Sequence, residues 1–211
     1  VIFSALSGAM YLVNDIIDVE RDRLHPKKGL RPIASGQLPA LVAWGVGLVL
    51  ITGGLGSAFV LEPLFGVTAA AYAATMVVYT FLLKRLILLD VFAISAGFVF
   101  RAVAGAAVLQ VPISPWLYIC TGLGALFIAL SKRRCELALA GDAAGGQRDT
   151  LDWYTQSLLD QLIAVVATSV VLTYGLYTFT AENLPDNHSM ILTIPFVVYA
   201  IFRYMYLVHT R

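Results

Sequence analysis

Seven long runs of apolar residues dominate this sequence and restrict what it can fold into. They lie at about 1–17, 41–61, 64–83, 86–109, 116–131, 158–180 and 190–208. The hydrocarbon core of a bilayer is about 30 Å thick, and an α-helix needs roughly 20 apolar residues to cross it. With 59% hydrophobic and 13% charged residues, the composition excludes an ordinary soluble domain. We therefore predict an all-α, polytopic transmembrane helix bundle that forms a single domain over residues 1–211.

Basic residues alternate with the apolar runs along the chain. They follow every second run, as Arg21, Arg23, Lys27, Lys28 and Arg31; Lys84 and Arg85; Lys132, Arg133, Arg134 and Arg148; and Arg211. The connections around Glu62, 110–115 and 181–189 contain no Lys or Arg. Because Lys and Arg are retained on the cytoplasmic side, we predict that the basic connections face the cytoplasm. The sequence starts inside an apolar run without Met and stops in a polar segment, so we expect further helices at both ends.

Three aspartates follow the first apolar run. Asp15, Asp18 and Asp22 are spaced i, i+3, i+7, which places their carboxylates on one helix face. Like charges at this spacing repel each other, so the arrangement favours a cation bound among them. Mg²⁺ suits the site because it typically takes one or two carboxylates, keeps waters and uses substrate phosphates as further ligands. The alternative is a solvated helix end that Arg21 and Arg23 neutralise.

A basic segment comes next in the chain. Lys27, Lys28 and Arg31 follow His25-Pro26, where proline should end the helix and allow a loop to fold back over the aspartates. The three cations then bind phosphate in one interpretation and anionic lipid in the other.

Three charged residues fall inside or near later runs. A charge at the depth of Arg101 costs at least about 2.5 kcal/mol on insertion scales, so Arg101 should face a polar cavity or an ion-pair partner on another helix. Asp90 lies nearer the interface and could accompany a lysine, bind a metal or act as a base. Arg203 can reach the interface by snorkelling or bind a lipid phosphate.

A second basic connection reads Lys132-Arg133-Arg134-Cys135-Glu136, with one carboxylate among three cations. Arginine binds phosphate in a bidentate manner and lysine as a point charge, so the segment predicts an anion site; the alternative is a topology signal alone. Cys120 and Cys135 suggest neither a disulfide nor a metal site.

The string Asn14-Asp15-x-x-Asp18-x-x-x-Asp22 resembles the first aspartate-rich motif of the UbiA superfamily of intramembrane prenyltransferases. The resemblance extends through Arg31-Pro32, Ser35-Gly36 and the segment from Tyr79 to Lys84. It implies that the aspartates hold Mg²⁺ against a diphosphate leaving group, at a cavity open to the cytoplasm and to lipid. For Tyr79 and Lys84 it implies contact with that diphosphate, where the alternative is an interfacial tyrosine and a snorkelling lysine.

Further stretches look like one branch of this superfamily, the polyprenyl-phosphate phosphoribosyltransferases. They are ASGQLP at 34–39, GFVFRAVAGAAVLQVPISPW at 97–116, SKRRCEL at 131–137 and IPFVVYAIFRY at 194–204. This resemblance implies phosphoribosyl diphosphate as donor and a polyprenyl (decaprenyl) phosphate as acceptor, in a step of cell-envelope polysaccharide precursor synthesis at the bacterial inner (plasma) membrane. The basic second connection agrees with it, since prenyl-diphosphate users of the family carry a second aspartate-rich motif there.

The predicted site combines these interpretations. The expected catalytic residues are Asp15, Asp18, Lys84 and Arg101. The expected substrate-binding residues are Asn14, Asp22, Lys28, Arg31, Tyr79, Asp90, Lys132, Arg133, Glu136 and Arg203. The expected Mg²⁺ ligands are Asp15, Asp18 and Asp22.

The expected partners are phosphoribosyl diphosphate, polyprenyl phosphate and membrane lipid, and no nucleic acid. One alternative is prenyl transfer from a polyprenyl diphosphate to an aromatic or quinone precursor, for which a less cationic second connection would be expected. Another is a membrane transporter with Asp90 and Arg101 along its pathway, a function in which the three aspartates have no evident role.

Overall fold

The computed structural model of the protein describes residues 1–24, 28–111, 114–140, 151–180 and 187–210. Every regular element in these ranges is helical, which confirms the all-α prediction. The α-helices are α1 (Ile2–Ile17), α2 (Val19–Arg23), α3 (Ala40–Leu61), α4 (Pro63–Phe81), α5 (Leu89–Leu109), α6 (Pro115–Ala140), α7 (Gln156–Thr180) and α8 (Ile194–Thr210). Short 3₁₀ helices are Lys28–Leu30, Leu83–Arg85, Leu151–Trp153 and Ser189–Thr193.

Five helical segments among the described residues are long and apolar enough to cross a membrane. They are Ala40–Leu61, Pro63–Phe81, Leu89–Leu109, Gln156–Thr180 and Ser189–Thr210. α1 is a shorter apolar helix, and the apolar run at 116–131 lies within α6, which continues through the basic residues that follow it. The total of about seven spans stays a prediction, as does the single domain over residues 1–211.

The chain divides into two compact units. The first contains Val1–Lys84 and Val103–Val111, and in it α1 packs against α3 and α4. Leu6 of α1 is fully buried and sits against Gly54, where an added Cβ would lie 2.9 Å from Leu6 Cδ2. The hydroxyls of Ser7 and Tyr72 share a buried hydrogen bond of 3.0 Å between α1 and α4. Small residues therefore let α1 approach its neighbours closely.

The second unit contains Arg85–Ala102 and Pro112–Arg211. Its core is formed mainly where α6 and α7 pack together, and the buried residues include Leu130, Leu159 and Ile163. Leu88, directly before α5, has a left-handed backbone conformation with φ 66°, which a leucine rarely adopts. Its N–H donates to the Tyr154 hydroxyl at 2.9 Å, so a side chain from the α6–α7 connection holds the start of α5.

Candidate active site

The aspartate segment lies on two successive helices. α1 ends at Ile17, α2 begins at Val19, and Asp18 between them has φ −91° and ψ 6°, in the sparsely populated bridge region. The helix that carries the three aspartates is therefore interrupted at Asp18, a feature that their spacing did not predict. Backbone hydrogen bonds still cross the break, because the Asp18 N–H donates to the Asn14 carbonyl and the Asp22 N–H to the Asp18 carbonyl.

Arg31 joins the first and third aspartates. Its Nη1 donates to Asp15 Oδ1 and to Asp22 Oδ2, each at 2.7 Å. The Asp22 side chain is only 4% exposed, and burying a carboxylate is costly unless it has a charged partner. One nitrogen thus draws together carboxylates from α1 and α2.

The loop after α2 delivers Arg31 to this position. The Arg31 N–H donates to the Lys28 carbonyl, and the Arg31 carbonyl accepts from the Ser35 N–H at 2.8 Å. Gly36 has φ 81°, a conformation that glycine adopts without steric cost, and it turns the chain toward α3. Arg23 Nε donates to the Ala34 carbonyl at 3.3 Å, which ties the loop to α2. The prediction that this loop folds back over the aspartates agrees with these contacts.

Lys84 pairs with the middle aspartate. Its Nζ donates to Asp18 Oδ1 at 2.6 Å and lies 3.4 Å from Asn14 Oδ1. The lysine side chain is 8% exposed, so it does not snorkel toward water, and that alternative is wrong for this structure. Two neighbouring sets of contacts are thus present on α1 and α2, and together they are here called the aspartate cluster: Asp15, Asp22 and Arg31, and Asn14, Asp18 and Lys84.

The donor atoms of the aspartate cluster fit a hard divalent cation. Asp15 and Asp22 each place an oxygen 2.7 Å from one Arg31 nitrogen, so these oxygens are at most twice that distance apart. Carboxylate oxygens are ligands that Mg²⁺ prefers, and this ion binds through one or two carboxylates together with substrate phosphates. Among the described residues, no three His, Cys, Asp or Glu side chains are gathered tightly enough to hold a metal by themselves. An ion there would take over carboxylates that now accept from Arg31 or Lys84.

A second charged group lies in the other unit and centres on Asp90. Arg133 Nε donates to Asp90 Oδ2 at 2.8 Å, and Arg133 Nη1 donates to Glu136 Oε2. Asp90 and Arg133 are 0% and 2% exposed. The Tyr154 hydroxyl donates to Asp90 Oδ1 at 3.0 Å. Burial raises the pKa of Tyr154 to about 12, assisted by the nearby Asp90 carboxylate, so the tyrosine remains a neutral donor.

The neighbouring arginine is also paired. Arg134 Nε donates to Asp160 Oδ1 at 2.6 Å and its Nη1 to the Val208 carbonyl at 2.8 Å. His209 Nε2 lies 3.2 Å from the same Asp160 oxygen.

These ion pairs change the interpretation of the second basic connection, which was predicted to be an anion site because three cations accompany one carboxylate there. The fold brings Asp90 from α5 and Asp160 from α7 to Arg133 and Arg134, two carboxylates that local spacing did not reveal. Lys132 is exposed. The positive charge available to a substrate at this connection is therefore smaller than the sequence suggests.

The remaining predicted residues lie in varied surroundings. Tyr79 on α4 and Lys28 in the 3₁₀ helix before Arg31 are half-buried. Arg101 is exposed, with its guanidinium carbon 5.8 Å from the centre of the Phe98 ring. Arg203 is also exposed and lies 5.5 Å from the Tyr206 ring centre. Both Asp90 and Arg101 lie on α5, but Asp90 is fully buried whereas Arg101 is exposed.

Three residues of these groups were not singled out from the sequence: Tyr154, Asp160 and His209. Tyr154 and Asp160 follow a segment, 141–150, that the structure does not describe, and no local spacing connects them to Asp90 or Arg134. Like Asp90, Asp160 is a carboxylate near the start of an apolar helix, and it could have been singled out from the sequence for the same reason. His25, Pro26, Lys27, Arg148 and Arg211, which the sequence analysis used, lie outside the described residues.

Comparison with known proteins agrees with this architecture and motif. The sequence matches the UbiA prenyltransferase family over residues 1–211, and the chain belongs to that family. The predicted resemblance is thus confirmed, and with it membership of a family of membrane transferases.

More particular relatives share the chain's sequence over almost its whole length. The decaprenyl-phosphate phosphoribosyltransferase of Mycobacterium tuberculosis is 37% identical over 97% of this chain and 67% of its own length. The enzyme of the same name from Corynebacterium glutamicum is 35% identical over 97% of this chain and 63% of its own length. The chain thus spans about two thirds of the length of these relatives.

Solved structures share the fold. A UbiA homolog from Archaeoglobus fulgidus bound to DMAPP and Mg²⁺ superposes with a TM-score of 0.85 at 15% identity, over 100% of this chain and 74% of the other. The same homolog bound to GPP and Mg²⁺ gives a TM-score of 0.82 at 14% identity, over 100% and 76% of the two chains.

Proposed function

We propose that this protein transfers the 5-phosphoribosyl group of phosphoribosyl diphosphate to a polyprenyl phosphate, with decaprenyl phosphate as the expected acceptor. The reaction would be Mg²⁺-dependent and would take place at the cytoplasmic face of the bacterial inner membrane. The observation that carries the proposal is the aspartate cluster, in which three carboxylates meet Arg31 and Lys84. The choice of donor and acceptor is supported by the names of the relatives that are 35–37% identical.

The cluster has the groups that a diphosphate leaving group requires. When bound, Mg²⁺ would neutralise the developing charge on the diphosphate, with Asp15, Asp18 and Asp22 as its oxygen ligands. Arg31 and Lys84 lie within hydrogen-bond distance of these carboxylates and would donate to diphosphate oxygens at the same place. Charge-assisted donors fixed beside a leaving group stabilise it as negative charge develops.

The remaining chemistry needs little from the protein beyond positioning. The bond between the anomeric carbon and the diphosphate oxygen breaks, and the diphosphate leaves with the electron pair. A phosphate oxygen of the acceptor forms the new bond to that carbon. This oxygen is already ionised, so no strong general base is needed, and alignment of the two substrates carries much of the rate enhancement.

The product would be a polyprenyl-phosphate-linked ribose 5-phosphate. A sugar linked to a membrane lipid remains at the membrane, where an envelope polysaccharide would be assembled, so we place the reaction among the steps that make such precursors.

A direct assay tests the proposal. The full-length protein in detergent is incubated with Mg²⁺, polyprenyl phosphate and radiolabelled phosphoribosyl diphosphate, and label is counted in the organic phase. We expect transfer that EDTA abolishes and that Asp15→Asn and Asp18→Asn reduce at least about a hundredfold. Undiminished Mg²⁺-dependent turnover in both variants would refute the assigned role of the cluster.

A second candidate is prenyl transfer from a polyprenyl diphosphate to an aromatic or quinone precursor. The observation that favours it is the pairing of Arg133 and Arg134 with Asp90 and Asp160, because a cationic second connection was the sequence feature that spoke against this acceptor. A parallel assay with a radiolabelled prenyl diphosphate and an aromatic acceptor separates the candidates: for the second candidate, label would move only in this parallel assay.

A further inference from the structure

We infer that Arg31 and Lys84 are internal counter-ions of the three aspartates, and that their transfer from carboxylate to phosphate makes divalent-cation binding and diphosphate binding interdependent. The inference rests on the proposed function only in placing both ligands at the aspartate cluster. It holds equally for a phosphoribosyl or a prenyl donor.

The geometry of Arg31 is that of a bridging cation. A single guanidinium nitrogen contacts one oxygen of Asp15 and one of Asp22 at equal distances of 2.7 Å. Those two carboxylates come from different helices, and the arginine comes from the loop that follows them. The Arg31 guanidinium therefore occupies a position between the two carboxylates, where a cation that both of them bind would lie.

Lys84 fills the corresponding role for the middle aspartate. Its Nζ lies 2.6 Å from Asp18 Oδ1, and both side chains are largely shielded, at 8% and 24% exposure. Lys84 comes from the 3₁₀ helix after α4, so it approaches the aspartates from an element other than the one that carries Arg31. All three carboxylates thus have a charged partner within the chain itself.

Because of this pairing, a metal ion competes with Arg31 and Lys84 for the carboxylate oxygens. A divalent cation that takes these carboxylate oxygens must displace the arginine or lysine or remain close to it, and cations near each other repel unless an anion separates them. Diphosphate provides that anion and also accepts the displaced N–H groups. Without diphosphate the internal cations oppose the metal, and with metal bound they attract diphosphate.

The two side chains should contribute unequally. Arg31 engages two aspartates and is 38% exposed, whereas Lys84 engages one and is 8% exposed. Arg31 lies on a loop and has the freedom to turn from carboxylate to phosphate. We therefore expect the larger effect on both ligands from Arg31.

The test measures two affinities in Arg31→Gln, using the full-length protein in detergent without sugar or lipid substrate. Free Mn²⁺ is followed by electron paramagnetic resonance to give the Mn²⁺ affinity in the absence of diphosphate. Labelled inorganic diphosphate is followed by equilibrium dialysis at saturating Mn²⁺. Since allosteric couplings typically lie between about 5- and 150-fold, we expect Mn²⁺ to bind at least about fivefold tighter in Arg31→Gln and diphosphate at least about fivefold weaker.

The opposite changes in the two affinities distinguish this role from a structural one, since damage to the site would weaken the binding of both ligands. Arg31→Lys keeps the charge and should restore most of the diphosphate affinity. Arg85→Gln removes the same charge from an exposed side chain beside Lys84 and should leave both affinities unchanged. If Arg31→Gln fails to fold by size-exclusion chromatography, Lys84→Met carries the same prediction with smaller changes.

Mn²⁺ affinity that is unchanged or weaker in the folded variant would overturn the inference. That result would leave the substrate assignment intact, because neither assay contains phosphoribose or polyprenyl phosphate. Conversely, failure of phosphoribosyl transfer in the product assay would not alter the two affinities.

Discussion

At the residue scale, the buried Asp90–Arg133 pair has the largest expected effect on stability. Taking two charges out of water is costly, and their attraction offsets this cost only when further hydrogen bonds satisfy both groups. Tyr154 and Glu136 provide such contacts, at Asp90 Oδ1 and Arg133 Nη1. Removing one member would leave the other charged and buried.

We predict that Arg133→Met lowers the free energy of unfolding by about 3–5 kcal/mol, because it leaves the Asp90 carboxylate without its cation. The measurement is denaturant unfolding in detergent, followed by tryptophan fluorescence. Asp90→Asn combined with Arg133→Met should recover part of the loss, since the uncompensated charge is then absent. Lys132→Met, at the exposed neighbouring position, is the control, and an equal loss in that variant would contradict the account.

Tyr154 predicts a particular dependence of stability on pH. Its pKa is raised from about 10 in the unfolded chain to about 12 in the folded protein, so the folded state retains the proton more strongly. The contribution to stability is complete below about pH 10 and is lost as pH rises toward about 12.

Tyr154→Phe should therefore remove part of the alkaline destabilisation while lowering stability at neutral pH, where the hydroxyl still bonds Asp90 and Leu88. Thermal unfolding of both proteins at pH 8, 10 and 11 measures the difference. A wild-type protein that loses no more stability than the variant between pH 10 and 11 would show that the environment assigned to Tyr154 is wrong.

At the element scale, the close approach of α1 to α3 depends on a glycine. A Cβ at Gly54 would meet Leu6 at 2.9 Å, whereas nothing lies within 4 Å of the corresponding point at Gly56. Gly54→Val should cost about 1–3 kcal/mol through overpacking. Gly56→Val, on the same helix but at an exposed position, is the matched control.

Unfolding in detergent compares the two valine variants. Leu6→Ala should reduce the cost of Gly54→Val, because it removes the side-chain atoms that the valine meets. Equal stability of the two valine variants would mean that α1 is not packed against α3 at this point.

The helices and their contacts also show which features local sequence predicts and which it does not. Apolar runs predicted most helices because helical length and hydropathy are local properties, and the aspartate spacing predicted which carboxylates belong together. The interruption at Asp18 and the contacts of the aspartates with Arg31 and Lys84 are not visible in that spacing. Spacing alone could not pair Asp90 with Arg133, which lies 43 residues away in sequence, and so the charge of the second basic connection was overestimated.

At the scale of the whole molecule, both units contain paired charged residues that are shielded from solvent. The aspartate cluster belongs to Val1–Lys84 and carries the proposed chemistry, whereas Asp90, Arg133 and Tyr154 belong to the unit that begins at Arg85. In the second unit Arg133, which was expected to bind substrate, and its neighbour Arg134 are both paired with carboxylates. The donor and acceptor therefore rest on the similarity to named relatives, and they require the most direct test.

The central claim is that a ribose carrying its 5-phosphate moves to a polyprenyl phosphate. The deciding measurement supplies donor labelled with ¹⁴C in the ribose and ³²P in the 5-phosphate, together with an unlabelled polyprenyl phosphate. Our account predicts that both labels enter the organic phase in the donor's own ratio, and only with Mg²⁺ present. Absence of both labels, with transfer seen instead from a prenyl diphosphate to an aromatic acceptor under the same conditions, would contradict it.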